Sequence, residues 1–257
     1  MGNDALIGYT GFVGSTLLRD RPFAGTFNSR NIEQIRGKRF DRLVCAGVSA
    51  VKWLANKEPE QDWNGIQRLI GCLQDVHADT FVLVSTIDVY RETAGLSEAD
   101  PPPKDGLHPY GLHRLMLEEF VAQRFPRPVV VRLPALFGAG LKKNVIYDFL
   151  HHNQTEKIVP NAVFQWYPTR RLSADLDHIE AAGLNLINVT TEPIATSAIH
   201  ERFFPEVPIG AAVPTPPLYD LRSIHDALLG GRGGYHLSAE EVIRELESYF
   251  VEAKAEG

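Results

Sequence analysis

Ala5-Leu-Ile-Gly8-Tyr-Thr10-Gly11-Phe-Val-Gly14-Ser-Thr-Leu-Leu18 joins a short apolar run, three glycines at fixed spacing and the start of an amphipathic segment. An apolar strand that delivers Gly-x-x-Gly-x-x-Gly into a helix brings backbone close to a pyrophosphate at the helix N-terminus. Glycine adopts the angles of such a turn, and its missing side chain lets a phosphate or a neighbouring strand come near. The commoner fingerprint is Gly-x-Gly-x-x-Gly, so the additional residue between Gly8 and Gly11 departs from the NAD dehydrogenase form. Taken alone the motif leaves two readings open, a dinucleotide turn and an ordinary turn at a strand end.

Downstream, Val13 to Leu18 opens a helix that Arg21-Pro22 ends, and Gly25-Thr-Phe-Asn28 reads as a second strand. Strand, helix, strand calls for a parallel sheet. An acid at the end of that strand would bind an adenosine ribose 2'-hydroxyl and repel a 2'-phosphate. This chain has Asn28-Ser29-Arg30, whose donors and charge favour NADP over NAD, with a solvated surface Arg as the alternative. Too few residues separate Arg30 from the third strand, Arg42-Leu-Val-Cys-Ala46-Gly47, for a full helix and strand, so one unit of the winding is abbreviated. Ala46-Gly47 ends that strand in small residues, where a cofactor could lie against the backbone. A helix over Pro59 to Val76 places Ile66, Leu69, Ile70 and Leu73 on one face and contains Asn64. Thr80-Phe-Val-Leu-Val-Ser85-Thr86 is an apolar central strand ending in hydroxyls.

The chain of 257 residues, 44% of them apolar, is long enough for one large or two small domains. A net charge of -6, with no run of Lys or Arg longer than a pair, makes nucleic acid and anionic membranes poor partners. A small anionic ligand stays open, because local sites decide that. Cys45 and Cys72 each stand in an apolar stretch and read as buried, reduced thiols. Met1-Gly-Asn-Asp lacks the basic start of a signal peptide, and Gly8 breaks the apolar run, so the cytoplasm is the default location. No metal is expected, and a homodimer is compatible with the sequence.

Further along stands His108-Pro109-Tyr110-Gly111-Leu-His113-Arg114-Leu-Met-Leu-Glu118. Tyr110 and Arg114 lie four apart on an inferred helix and share a face. A strand-end hydroxyl, with a Tyr and a cation one helical turn on, is a proton-transfer constellation: the cation favours tyrosinate and the hydroxyl holds a substrate oxygen. Each also has an ordinary reading, as strand-end Thr, half-buried Tyr and exposed Arg.

In order and spacing these segments resemble the extended short-chain dehydrogenase/reductase family of nucleotide-sugar epimerases, dehydratases and 4-keto-sugar reductases. Gly8-Tyr-Thr-Gly11-Phe-Val-Gly14 is similar to its phosphate loop, and Phe81-Val-Leu-Val-Ser85-Thr86-Ile-Asp88-Val-Tyr90 to its strand with the catalytic Ser/Thr. Pro109-Tyr110-Gly-Leu-His-Arg114 is similar to its Tyr-x-x-x-Lys helix, and Arg132-Leu-Pro134-Ala-Leu-Phe137-Gly138 to its Arg-x-x-x-x-Tyr-Gly. Asn64 falls where the family has an Asn in its fourth helix. Beyond Gly138 the resemblance rests on Val189-Thr-Thr-Glu-Pro193-Ile and a helical C-terminus.

The resemblance implies an α/β, Rossmann-type doubly wound parallel sheet with a small C-terminal substrate lobe. Residues 1-138 would form the dinucleotide-binding core, joined by a late strand near 185-190, and residues 139-257 would form mainly the lobe. Catalytic roles would fall to Thr86, Tyr110, Arg114 and Asn64, the last holding a water that relays a proton. Cofactor contacts would come from Gly8, Thr10, Gly11, Phe12, Val13 and Gly14 on the turn, and from Asn28, Ser29 and Arg30 after the second strand. Further contacts are implied at Ala46, Gly47, Ser85, Tyr110, Arg114, Leu133 and Pro134. The departure is Arg114, since the family Lys holds the nicotinamide ribose and depresses the tyrosine pKa. Arg carries the charge in a bulkier planar fork. His113 stands in the usual Ser position and reads as a helix-surface histidine, with a second polar contact as the alternative.

Substrate contacts are expected from Asp88, from Lys142 and Asn144 before an apolar helix, and from Gln165, Tyr167 and Arg170 in an aromatic, hydrogen-bonding stretch. A solvated Lys pair and ordinary packing are the competing readings there. Residues 223 to 250 read as a helix, the glycine turn Gly230-Gly-Arg-Gly-Gly234 and a final helix opened by the capping box Ser238-Ala-Glu-Glu. The expected function is NAD(P)-dependent hydride transfer on a sugar or nucleotide sugar, by a reductase or an epimerase. A dehydratase ranks lower, because Ile87-Asp88 offers one acid after the hydroxyl where a pair is wanted. The alternative from another class is a dinucleotide-binding sensor or scaffold that has lost turnover.

Overall fold

Apolar residues on both faces mark strands that a parallel sheet must bury, and the chain supplies them in succession. The structure, a computed structural model, describes residues 2–255. It runs through β1 (Asp4–Ile7), α1 (Phe12–Asp20), β2 (Gly25–Phe27), β3 (Arg39–Cys45), α2 (Lys52–Lys57), α3 (Pro59–Leu73), β4 (His77–Thr86), α4 (Pro109–Arg124) and β5 (Pro128–Leu133). It continues through β6 (Ala135–Phe137), α5 (Val145–His151), β7 (Val163–Phe164), β8 (Trp166–Pro168), α6 (Leu172–Ala181), β9 (Leu186–Asn188), β10 (Ile194–Ala195), α7 (Thr196–Phe203) and α8 (Ala239–Ala255). A single 3-10 turn, Ile32–Ile35, stands where the short link between β2 and β3 leaves no room for a helix.

The chain divides into two compact units. One comprises residues 1–92, 100–133 and 173–188, and the other comprises residues 93–99, 134–172 and 189–257. In the first, six parallel strands lie in the order β2-β1-β3-β4-β5-β9. Ile7, Cys45, Leu83, Val130 and Leu186 are paired in turn across it. Leu43, Cys45, Phe81 and Leu83 are buried with Ile66, Leu69, Cys72 and Leu73 of α3 and with Leu117 and Val121 of α4. Strand order reverses beside β1, which has β2 on one side and β3 on the other. In open sheets of this kind ligands bind at the carboxyl ends of the strands flanking that reversal.

The second unit holds two short strand pairs, β6 with β8 and β7 with β10. Phe149 stacks on Phe204, and Phe204 meets Phe250 edge-on, each with ring centroids 5.0 Å apart. The helix expected from residue 223 does not form. Ser223 donates its N–H to Gly234 O and Ile224 donates its own to Glu98, so the backbone turns outward and only Asp226–Leu229 coils, as a 3-10 turn. Among the described residues no helix is long and apolar enough to cross a membrane.

Candidate active site

The glycine turn is built by packing at two of its three glycines. Gly8 has φ +89, and a Cβ there would stand 2.3 Å from Ala46 O, because the ends of β1 and β3 touch backbone to backbone. At Gly14 a Cβ would stand 2.1 Å from Gly8 O, so α1 sits directly on the turn. Gly11 differs: its nearest neighbour would be Gly8 O at 3.3 Å, and the residue is exposed. Its carbonyl accepts from Ser15 N, which leaves the N–H groups of the first helical turn without intrahelical acceptors. A helix start with bare backbone and an exposed glycine fits a pyrophosphate. Thr10 is exposed, Phe12 and Val13 are half-buried, and Ala46 and Gly47 end β3 alongside. After β2, Asn28 spends its side-chain oxygen on Arg30 N (2.9 Å) and is a turn-former; Ser29 and Arg30 are exposed. Arg68 of α3 donates to Ser29 O (3.2 Å), adding a cation at this point.

At the carboxyl end of β4, Thr86 and Tyr110 meet. The Thr86 hydroxyl acts on the Tyr110 phenol and pulls its pKa down, and Thr86 Oγ1 accepts Asp88 N–H at 3.1 Å. Pro109 opens α4, capped by His108 Nδ1, which accepts Gly111 N–H at 3.0 Å. That acceptor role and its burial, together with Lys52 nearby, favour the neutral imidazole, and the His108 pKa is lowered. The Tyr110 pKa is raised by burial, which outweighs the pull of Arg114. Arg114 does pull it down, as expected, but burial is the larger effect.

Arg114 is itself paired, with Asp62 of α3. Arg114 is 4% exposed, and its guanidinium grips Asp62 with Nη1 at 2.7 Å and Nη2 at 2.8 Å, while donating to Tyr110 O and Ser49 O. It lies 3.9 Å from the Tyr110 ring centroid, over the ring face. Its charge is answered by a carboxylate, and Nη1 and Nη2 are engaged within the protein. His113 is buried as well, with Nδ1 2.7 Å from Asp62 Oδ2, which corrects its reading as a surface histidine. Burial pushes the Asp62 pKa up, but the bonds from Arg114 and His113 prevail and lower it. Asn64 is exposed on α3 and is not among these contacts; an amide does reach α4, but it belongs to Asn56, whose Oδ1 accepts Tyr110 N–H at 3.0 Å.

Ser85 donates to Glu118, itself gripped by Arg132, which donates onward to the Tyr90 hydroxyl. Ser85 is thus engaged in a buried network beneath the strand end, and Leu133 and Pro134 are buried. In the second unit several expected substrate residues serve the scaffold. Gln165 is 1% exposed and bonds the backbone of Thr191 and Leu221, and Tyr167 is fully buried. Asn144 caps α5 by accepting from Ile146 N and Tyr147 N, and donates to Leu136 O. Arg170 pairs with Glu245. Lys142 is exposed, and Asp88 pairs with Lys52 beside Thr86. Sequence reasoning missed Asp62, Lys52 and Asn56; the acidic first turn of α3, Glu60 and Asp62, was the available signal for a buried counter-charge.

The parallel sheet order with helices between the strands defines the fold class, a Rossmann-type α/β fold. No protein-family model and no curated protein matches the sequence. Solved structures do match in fold. A dTDP-4-dehydrorhamnose reductase from Bacillus anthracis in complex with NADP is 17% identical with a TM-score of 0.76, over 98% of this chain and 99% of that one. A UDP-N-acetylglucosamine 4-epimerase from Methanobrevibacter ruminantium in complex with UDP-N-acetylmuramic acid is 14% identical with a TM-score of 0.72, over 98% and 99%. An NAD-dependent NDP-hexosamine 5,6-dehydratase is 16% identical with a TM-score of 0.74, over 98% of each chain.

Proposed function

We propose that this chain binds NADP or NAD and transfers hydride at an oxygen-bearing carbon of a sugar or nucleotide sugar, as an oxidoreductase or epimerase. The observation that carries the reading is the Thr86–Tyr110 hydroxyl pair at the end of β4, in a sheet whose β1 ends in the glycine turn. Gly11 and the first-turn N–H groups of α1 would hold the pyrophosphate, and Ser29 and Arg30 a 2'-phosphate. The nicotinamide, when bound, supplies the site that gives or takes hydride. Thr86 orients the substrate oxygen and Tyr110 moves its proton. Because burial keeps Tyr110 protonated, the phenol is poised as a donor, which suits carbonyl reduction. Proteins of this fold that act on nucleotide sugars support the substrate class.

Calorimetric titration with NADP and NAD tests the cofactor. NADP is expected to bind more tightly, Arg30→Ala to erase the preference, and Gly11→Val to fold yet bind neither; unchanged affinity in Gly11→Val removes the assignment. Following cofactor oxidation with a panel of nucleotide sugars tests the chemistry: Tyr110→Phe is expected to keep binding and lose turnover. The Asp62–Arg114 pair favours one other reading, a dinucleotide-binding sensor or scaffold. Tight cofactor binding without turnover on any member of the panel selects it.

A further inference from the structure

Two cations act on Tyr110, and each is paired with a carboxylate. Arg114 faces the ring and is paired with Asp62. The other is Lys52, the first residue of α2, whose Nζ lies 2.7 Å from Asp88 Oδ1. Asp88 is fixed in turn, since its N–H is held by Thr86 Oγ1 and its carbonyl abuts α4 so closely that a Cβ on Gly111 would stand 2.1 Å from it. The segment carrying Lys52 is tied to the same helix on either side: Ser49 O accepts from Arg114, and Asn56 Oδ1 accepts from Tyr110 N. Lys52 keeps 38% of its side chain exposed, against 5% for Arg114, with its ammonium on Asp88.

We propose that Lys52 is a positioning residue of this site: its ammonium, held by Asp88 beside Thr86, stabilises the negative charge that develops on the Tyr110 oxygen as the proton leaves. The proposal rests on the reading of Tyr110 as the proton-transfer group. The charged and titratable groups acting on Tyr110 are Arg114 of its own helix, Lys52 of α2 and Asp88 of the turn after β4, with the His108 ring 6.2 Å from its own. Burial and Asp88 push its pKa up, while Arg114, the Thr86 hydroxyl and Lys52 pull it down. With Arg114 held by Asp62 in the interior, Lys52 is the more exposed of the two charges, and its removal costs the ion pair with Asp88, whose side chain is 16% exposed.

Tyrosine labelled with carbon-13 at Cζ reports ionisation of Tyr110 directly, with the resonance assigned from Tyr110→Phe, and needs no substrate. Lys52→Met is expected to raise the Tyr110 midpoint, leaving roughly fivefold less tyrosinate at a given alkaline pH, and Lys52→Arg to restore it. Asp88→Asn is expected to lower the midpoint, bringing the transition to milder pH, and Lys52→Met in that background to reverse much of the change. Circular dichroism and dinucleotide affinity are expected to stay at parental values in Lys52→Met. Equal midpoints with and without Lys52, in both backgrounds, overturn the proposal. A parent that binds dinucleotide but turns over nothing overturns the functional reading instead, and the midpoints still decide the role of Lys52.

Discussion

At position 114 the planar fork of arginine meets a carboxylate edge-on and still reaches two backbone carbonyls. A lysine would keep the charge but lose the parallel bonds. Removing the carboxylate leaves a buried guanidinium without its counter-charge, so Asp62→Asn is expected to cost about 3 kcal/mol at neutral pH. The cost has a pH signature. The Asp62 pKa is lowered in the folded protein from its ordinary 3.8, so its stabilisation is fully present above that value and is lost as pH falls through the folded pKa. Denaturant unfolding at pH 7 and near pH 3 is therefore expected to show a gap between parent and variant that narrows in acid; a constant gap refutes the account. Gly8 and Gly14 were legible in the sequence because local backbone geometry demands them at fixed spacing. Asp62 was not, since its partner lies 52 residues away. The nearby choice of Asn64 failed for a helical reason: two positions turn a side chain by about 200°, and with Asp62 facing α4, Asn64 faces out.

Elements were most legible where pattern and capping agree. α8 begins at Ala239 behind Ser238, whose N–H and hydroxyl both bond Glu241 Oε2, while Glu241 N reaches back to Ser238 Oγ. Ser238→Ala is expected to cost about 1 kcal/mol, read as a lower midpoint in denaturant with an unchanged slope. Such caps announce themselves, because both partners fall within one turn. The expected helix from residue 223 shows the opposite case, where donors taken by Glu98 and Gly234, both remote in sequence, outweigh local propensity. At the aromatic stretch around Tyr167, where ligand contact and ordinary packing were both open, packing is what the structure shows. Trp166, Tyr167 and Pro168 form β8 and are all buried, so rings that composition offered to a ligand fill the interior of their unit.

At the scale of the whole molecule, the chain leaves the first unit after Leu133 and returns with Ser173–Asn188, so the sheet is completed by residues far from its other strands in sequence. β9 pairs with β5 through Val130, Val131 and Arg132. Asn188 is fully buried and donates to the Tyr90 hydroxyl at 3.0 Å, the group that also receives Arg132. α6 adds Glu180, which holds Arg42 of β3 through Nε and Nη2, and Asp177, which pairs with Arg21. A chain ending at Gly138 keeps every motif that identifies the fold, yet it turns β5 from an inner strand into an edge. Its exposed run Val129-Val-Val131 would offer unpaired backbone and apolar surface to other chains. It would also leave the Arg132–Tyr90 end of the buried network without Asn188. Residues 1–138 alone are therefore expected to aggregate and to lack a cooperative unfolding transition by circular dichroism, while the full chain unfolds cooperatively. A soluble 1–138 fragment with a sharp transition would show that five strands hold the nucleotide-binding half by themselves, and that β9 and α6 are additions to it.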